Sequence, residues 1–201
     1  MQTITIQILL LVLCIVLVAV GLAVGWSRYQ ADRKGVLGKR RVDAMLKKFG
    51  VIRNYRVLRD VTFAIGERQA KIEHMMVGFF GVLIASSVND TAEYYGTARD
   101  EYWTKVTEQK REKIENFDRK NQQDIDVLRE IFSKNGVYNI RMEGVVVFCG
   151  NHKKTLIGVT GSNALMDLRT FKAYLGKSKF EKDNDVDVPG LCALLEKYRQ
   201  E

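Results

Sequence analysis

The chain has 201 residues, 46% of them apolar and 28% charged; that is enough for one well-packed domain and unlike a disordered composition. One proline and no Ser/Gly-rich tract exclude collagen-like and mucin-like chains, and three scattered cysteines, at 14, 149 and 192, make neither a zinc spacing nor a disulfide framework, which favours a reducing compartment. The net charge is +8, yet Arg28 to Arg53 alone holds nine basic and two acidic residues, while everything from Asn54 onward holds 23 basic and 22 acidic ones, so the high pI does not by itself make a nucleic-acid binder.

No charged side chain occurs from Met1 to Ser27, and Ile8 to Trp26 is apolar or glycine throughout. As a helix that run spans roughly 28 Å at about 1.5 Å per residue, close to a bilayer core of about 30 Å. Trp26 and Tyr29 stand where interfacial aromatics belong. A cleaved signal peptide is the rival reading, but it normally has a basic start and a shorter apolar core. The reading taken is an anchor at 1–27, a basic juxtamembrane linker at 28–37 and a domain at 38–201. The basic excess lies on the C-terminal side, which puts that domain in the cytoplasm and the few residues before the helix outside. Arg28, Arg33, Lys34, Lys39, Arg40 and Arg41 act as a topology signal or touch anionic lipid headgroups. Gly21 and Gly25, four apart, are a candidate contact between two membrane helices and so a route to a homodimer.

Within the domain, Val42, Met45, Leu46 and Phe49 predict a helix over 38–49, with Gly50 as its stop. Alternating apolar residues predict strands over 55–63 and 69–77, separated by a turn at Gly66; 82–88 reads as a short buried strand. Residues 89–107 read as a loop or short hairpin. A helix is predicted from Glu112 to Asn135, strands over 145–149 and 156–159, and helices over 164–175, capped by Ser162 or Asn163, and 190–198, with Pro189 at its start. The order helix, three strands, helix, strand implies an α/β fold with a mixed sheet.

Several local patterns carry a second meaning. Tyr55, Val57, Leu58, Asp60 and Val61 form one; Lys71-Ile72-Glu73-His74 another; Gly81 to Val88 a third, followed by Gly96, Trp103, Asn116-Phe117, Lys120-Asn121 and Leu128. In order and spacing, from about Gly38 to Gly150, these resemble the nuclease-related domain (NERD) family. The resemblance implies a PD-(D/E)xK endonuclease-like core. It also implies acidic side chains converging on Mg²⁺ with a lysine near the attacking water: one acid from the first helix, one from the second strand, and a Glu-x-Lys pair from the third. Here those positions hold Lys39, Glu73, Ser86 and Val88. Only Glu73 is acidic, and one carboxylate is too little charge for a Mg²⁺ site. Asp90, Glu93 and Glu67 are the acids that a relocated site would draw on.

Glu73 and His74 are strand neighbours, so strict alternation sends them to opposite faces. The segment Gly158-Val159-Thr160-Gly161-Ser162 lacks the Gly-Lys-Ser/Thr ending of a phosphate loop. Cys149 reads as core. The alternating charges of Lys105 to Lys120 read as a solvated helix face, and Tyr94, Tyr95, Tyr102 and Trp103 as packing and loop anchors. The expectation is therefore a single-pass membrane protein with a non-catalytic, cofactor-free binding module facing the cytoplasm. Its partner is a protein, or nucleic acid bound weakly in the cleft. The alternatives are a Mg²⁺-dependent nuclease on DNA or RNA and a lipid-surface adaptor.

Overall fold

The computed structural model describes residues 13–27, 36–150 and 155–200. Residues 13–27 are helical (α1), and every side chain in them is exposed. Among the described residues no helix is long and apolar enough to cross a membrane. Arg28, Arg33, Lys34 and the first twelve residues of the expected anchor lie outside the described residues, as do residues 151–154.

Helix α2 (Val36–Arg53) opens the domain. It runs through Gly50, the expected stop, because Asn54 takes the left-handed conformation (φ 56°) that ends the helix four residues later. Gly50 is small for a packing reason: a Cβ there would lie 3.0 Å from Cγ2 of Val57.

Strands β1 (Arg56–Ile65), β2 (Arg68–Gly78) and β3 (Gly81–Val88) form an antiparallel meander. Gly81 has φ 122°, and a Cβ on it would sit 2.1 Å from the carbonyl oxygen of Arg141, so this position has room only for glycine. Residues 93–115 then form strands β4 (Glu93–Thr97), β5 (Tyr102–Val106) and β6 (Arg111–Glu115). The stretch expected to begin a helix at Glu112 is thus a strand first. Arg111, Lys113 and Glu115 are exposed while Glu112 and Ile114 are half-buried, an alternation of period two.

Helix α3 (Phe117–Lys134) follows, its first turn capped by Asn116, whose side-chain oxygen accepts from Arg119 N at 3.0 Å. Strands β7 (Met142–Phe148), β8 (Leu156–Thr160) and β9 (Leu165–Asp167) come next. The helix expected from Ala164 starts only at Leu168 (α4, Leu168–Leu175), with Asp167 as its cap in place of Ser162 or Asn163. A short 3₁₀ turn (Ser178–Phe180), helix α5 (Val188–Tyr198) with Pro189 in its first turn, and a two-residue strand β10 (Arg199–Gln200) finish the fold.

The result is a mixed α/β domain with two sheets. The larger has the order β10-β1-β2-β3-β7-β9, antiparallel up to β3 and parallel beyond it; the smaller has the order β6-β5-β4-β8. Helices α3 and α5 cover one face of the large sheet through Ile125, Leu128, Ile131, Leu191 and Leu195. Helices α2 and α4 cover the other through Val42, Leu46, Phe171 and Leu175. The small sheet packs through Tyr94 and Trp103 onto Val88 and Phe148. Each fully buried Val, Leu, Ile or Phe in these clusters contributes about 1.5–3 kcal/mol of burial.

The central strands break their own alternation. Tyr55, just before β1, and Val57 in it face α2, yet Val61, Phe63 and Ile65, of the same parity, face α3. In β2, Ile72 faces α3 but so do Met75 and Val77. Both strands switch at one level, where the ladder pairs Arg59 with His74 and Val61 with Ile72 and has no rung between Asp60 and Glu73. Asp60 has φ 49°, a conformation rare for any residue but glycine and tolerated by Asp or Asn. This local inversion of the pleat positions everything that follows.

Candidate functional site

The inversion turns Glu73 and His74 toward the same side, facing α2. The expectation of opposite faces fails here: Nε2 of His74 is 3.9 Å from Oε1 of Glu73. Beyond the pair His74–Ala85, β2 and β3 no longer share rungs. The carboxylate of Glu73 spans the gap that opens, accepting from Ser87 N at 2.7 Å through Oε2 and from Ser87 Oγ at 2.7 Å through Oε1.

On β3 the register with β7 separates the two faces. Ala85 and Ser87 lie beside Val145 and Val147, on the α2 side; Ser86 and Val88 lie beside Val146 and Phe148, on the other. Ser86 accordingly donates to Oδ1 of Asn121 on α3 at 2.6 Å, and Asn121 in turn donates to the carbonyl of Val145 at 3.0 Å. Val88 is buried among Tyr94, Trp103 and Phe148, where an ammonium would be costly. The side chains that meet Glu73's face are therefore Ser87 and, two residues on, Asn89, which lies against Gly38 so closely that a Cβ on Gly38 would be 2.2 Å from its Oδ1. The two-apart positions that the resemblance points to, Ser86 and Val88, thus face away from Glu73, toward α3 and the small sheet.

Lys39, in the first turns of α2, reaches into this notch. Its Nζ is 2.5 Å from Oδ1 of Asp60 and 3.6 Å from Oε1 of Glu73. Burial disfavours the ammonium, but the hydrogen bond to Asp60 and the charge of Glu73 outweigh it and hold the Lys39 pKa above its ordinary value. One turn further along α2, Asp43 is buried, with Oδ2 3.3 Å from Arg59 and 3.1 Å from Lys47, while its Oδ1 has no hydrogen-bond partner. His74 is completely buried, and neither ring nitrogen has a partner. Burial pushes its pKa down, against the pull of Glu73 and Asp43 and with the help of Lys39. Cys149 lies on the same side, buried in the core, its thiol pushed up to about 12 by burial and then by Glu73.

Two further acids lie by the Glu73–His74 pair, neither of them among those that a relocated site would draw on. Asp90 pairs with Lys105, Glu93 accepts from the hydroxyl of Tyr95, and Glu67 is exposed in the β1–β2 turn. The acids that come are Asp60 and Asp43, and they come with Lys39, Lys47 and Arg59. Among the described residues no group of three or more His, Cys, Asp or Glu side chains is placed to hold a metal ion. Of the aromatic quartet, Tyr94 and Trp103 are fully buried, whereas Tyr95 and Tyr102 are exposed. Arg40, Arg41, Lys47 and Lys48 line the outer face of α2. Gly21 and Gly25 lie on α1 with open space around them.

The model of the nuclease-related domain family matches residues 34–149, more than half of the chain. The chain belongs to the nuclease-related domain family. The matched span runs from the start of α2 through β7, and so includes Lys39, Asp60, Glu73, Ser87 and Asn89. Neither the curated proteins nor the solved structures yielded a match to it.

Proposed function

We propose that this member of the family is a membrane-held binding module whose nuclease-like cleft no longer hydrolyses phosphodiesters. One observation carries the reading: both carboxylates that meet in the notch are engaged by the protein itself, Asp60 by Lys39, and Glu73 by Lys39 and two hydrogen bonds from Ser87. A Mg²⁺ ion asks for near-octahedral oxygen ligands with spare negative charge. The residues at hand, Asp60, Glu73, Ser87 and Asn89, offer two carboxylates already matched by an ammonium, a poor fit to that ion. The implied endonuclease-like core is kept as a scaffold. Its partner is a protein: the chain from Asn54 onward is nearly neutral, which gives little of the phosphate attraction that nucleic-acid binding draws on.

The anchor is residues 1–27, with the domain in the cytoplasm. The apolar side chains of residues 13–27 are all exposed, Trp26 at 67% and Leu22 at 70%, and a continuous apolar surface of this kind needs cover that the domain does not supply. A second reading, a lipid-surface adaptor, is favoured by the outer face of α2, where Arg40, Arg41, Lys47 and Lys48 stand with Val51 and Ile52, exposed at 81% and 70%.

The test is cleavage of plasmid DNA and single-stranded RNA by the detergent-solubilised full chain in Mg²⁺ or Mn²⁺. The expected result is no cleavage above that of Glu73→Gln. Metal-dependent cleavage lost in Glu73→Gln means an active nuclease. Release of the chain from membranes by alkaline carbonate would refute the anchor, and loss of vesicle binding on neutralising Arg40, Arg41 and Lys48 would favour the adaptor.

A further inference from the structure

We propose that the free edge of β8 pairs, antiparallel, with the same strand of a second copy of this chain, about a two-fold axis at Gly158. The proposal goes beyond the binding-module reading and does not depend on it. The two sheets end in β10, β9, β6 and β8, and a bare edge strand is a template for another chain. Strand β10 has two residues, and β9 has three and runs straight into α4. Strand β6 exposes Arg111, Lys113 and Glu115, and self-pairing about its centre would set Lys113 against Lys113. Strand β8 carries no such guard: no charged side chain occurs from Thr155 to Met166, so two copies meet there without repulsion.

The backbone of β8 is in phase with this partner. Leu156 N donates to the carbonyl of Ala92 at 3.2 Å, and Ala98 N donates to the carbonyl of Thr160 at 2.9 Å. In this parallel ladder Leu156, Gly158 and Thr160 therefore turn their N–H and C=O toward β4, and Ile157 and Val159 turn theirs away from it. Among the described residues β4 is the one strand paired with β8. A two-fold axis at Gly158 sets Ile157 opposite the second copy's Val159 as a hydrogen-bonded pair, so the outward groups of both strands are used together. Two β-branched side chains then face each other, a favourable cross-strand pair, and exposed Leu156 lies opposite exposed Thr160. Both faces have room. On the outer face Gly158 brings no side chain, and Tyr95 lies over it: a Cβ there would be 2.8 Å from Cδ1 of Tyr95. On the inner face a groove of about 280 Å³, lined by Phe148, Ile157, Leu165 and Met166, lies on the side away from β4. The second copy's Val159, opposite Ile157, has this apolar groove to enter. The strand is five residues long, so the pairing is weak and concentration-dependent.

The experiment uses the detergent-solubilised full chain with Cys14→Ser, carrying either Leu156→Cys or Thr160→Cys, oxidised with copper phenanthroline. In the proposed register these two positions are a non-hydrogen-bonded cross-strand pair about 4.5 Å apart at Cα, within disulfide reach. Like positions of the two copies lie about 14 Å apart, outside it. An equal mixture of the two variants should give about fivefold more disulfide-linked dimer, or better, than either variant alone. A mixture that links no better than the single variants, or a single variant that links best, overturns the proposal. Ile157→Pro, added to both variants, removes an N–H that β4 does not use. The linked dimer should then fall about tenfold with the melting temperature nearly unchanged, and a dimer that persists overturns the proposal. Should Ile157→Pro not fold, Leu156→Lys combined with Thr160→Lys sets like charges opposite each other at exposed positions. Sedimentation in detergent should show wild type, and not this variant, associating as concentration rises; equal association in both, or none in either, contradicts the proposal.

Discussion

His74 is the group whose behaviour separates burial from charge most sharply. Its ring is wholly inside the domain. Glu73, Asp43 and Asp60 favour its charged form; burial and Lys39 oppose it, and burial is the largest influence, so its pKa falls below the ordinary value of 6.5. The sign of the pH effect follows. Between the folded and unfolded pKa values the unfolded chain binds the proton and the folded one does not, so stability falls as pH drops below about 6.5. A single group changes stability by at most about 1.4 kcal/mol per pH unit in that window. Urea unfolding of wild type and His74→Met at pH 7.5, 6.5 and 5.5 measures it. Wild type should lose up to about 1.4 kcal/mol relative to the variant between pH 6.5 and 5.5, and the two should run parallel above pH 7. If wild type instead gains stability over the variant on acidification, the carboxylates outweigh burial and the account of the pocket is wrong.

Other outcomes follow from particular contacts. Gly81→Ala places a Cβ against the carbonyl of Arg141 at a φ of 122° and should cost about 2 kcal/mol or more in chemical unfolding. Trp103→Ala removes the fully buried indole that joins the small sheet to the large one; a loss of about 3–5 kcal/mol is expected, and a loss under 1 would mean that the small sheet is not part of the core. Cys149, buried with its thiol pushed up to about 12, should resist a water-soluble thiol reagent at pH 8 in the native protein and react once the domain is unfolded in urea. Lys39→Ala should change stability by only about 0.2–1 kcal/mol, since the Lys39 and Asp60 side chains are 38% and 62% exposed; a much larger loss would make Lys39 a structural residue and not an electrostatic one.

The main elements were readable because their apolar residues keep one period. Val82 to Val88 and the Pro189-led last helix sit where they were expected to within two residues, and the strand expected over 145–149 is the second half of β7 (Met142–Phe148). Strand β6 was hidden because Arg111 to Glu115 mixes charges with one apolar residue, Ile114, and a helix with alternating charges has the same composition. The start of α4 was missed because Leu165 and Met166 fit a helix stripe as well as they fit a short parallel strand beside β7. Glu73 and Lys39 were legible as site residues; Asp60, Ser87 and Asn89 were not. A signal did exist. The apolar residues of β2 step by two from Ala70 to Ile72, then by three to Met75, then by two to Val77. That change of phase marks the level at which the pleat turns over, and an aspartate stands opposite it.

The most direct test of the central claim, that the notch meets its own charge from within, is a Mg²⁺ titration of the ¹⁵N-labelled full chain in detergent micelles, followed at the Ser87 amide. That N–H donates to the Glu73 carboxylate, so any ion competing for Glu73 must move its resonance. The account requires the Ser87 and Asp60 signals to stay in place up to about 20 mM Mg²⁺, a concentration at which a site with a millimolar dissociation constant is filled. A saturable shift confined to Ser87, Asp60 and their neighbours would contradict it.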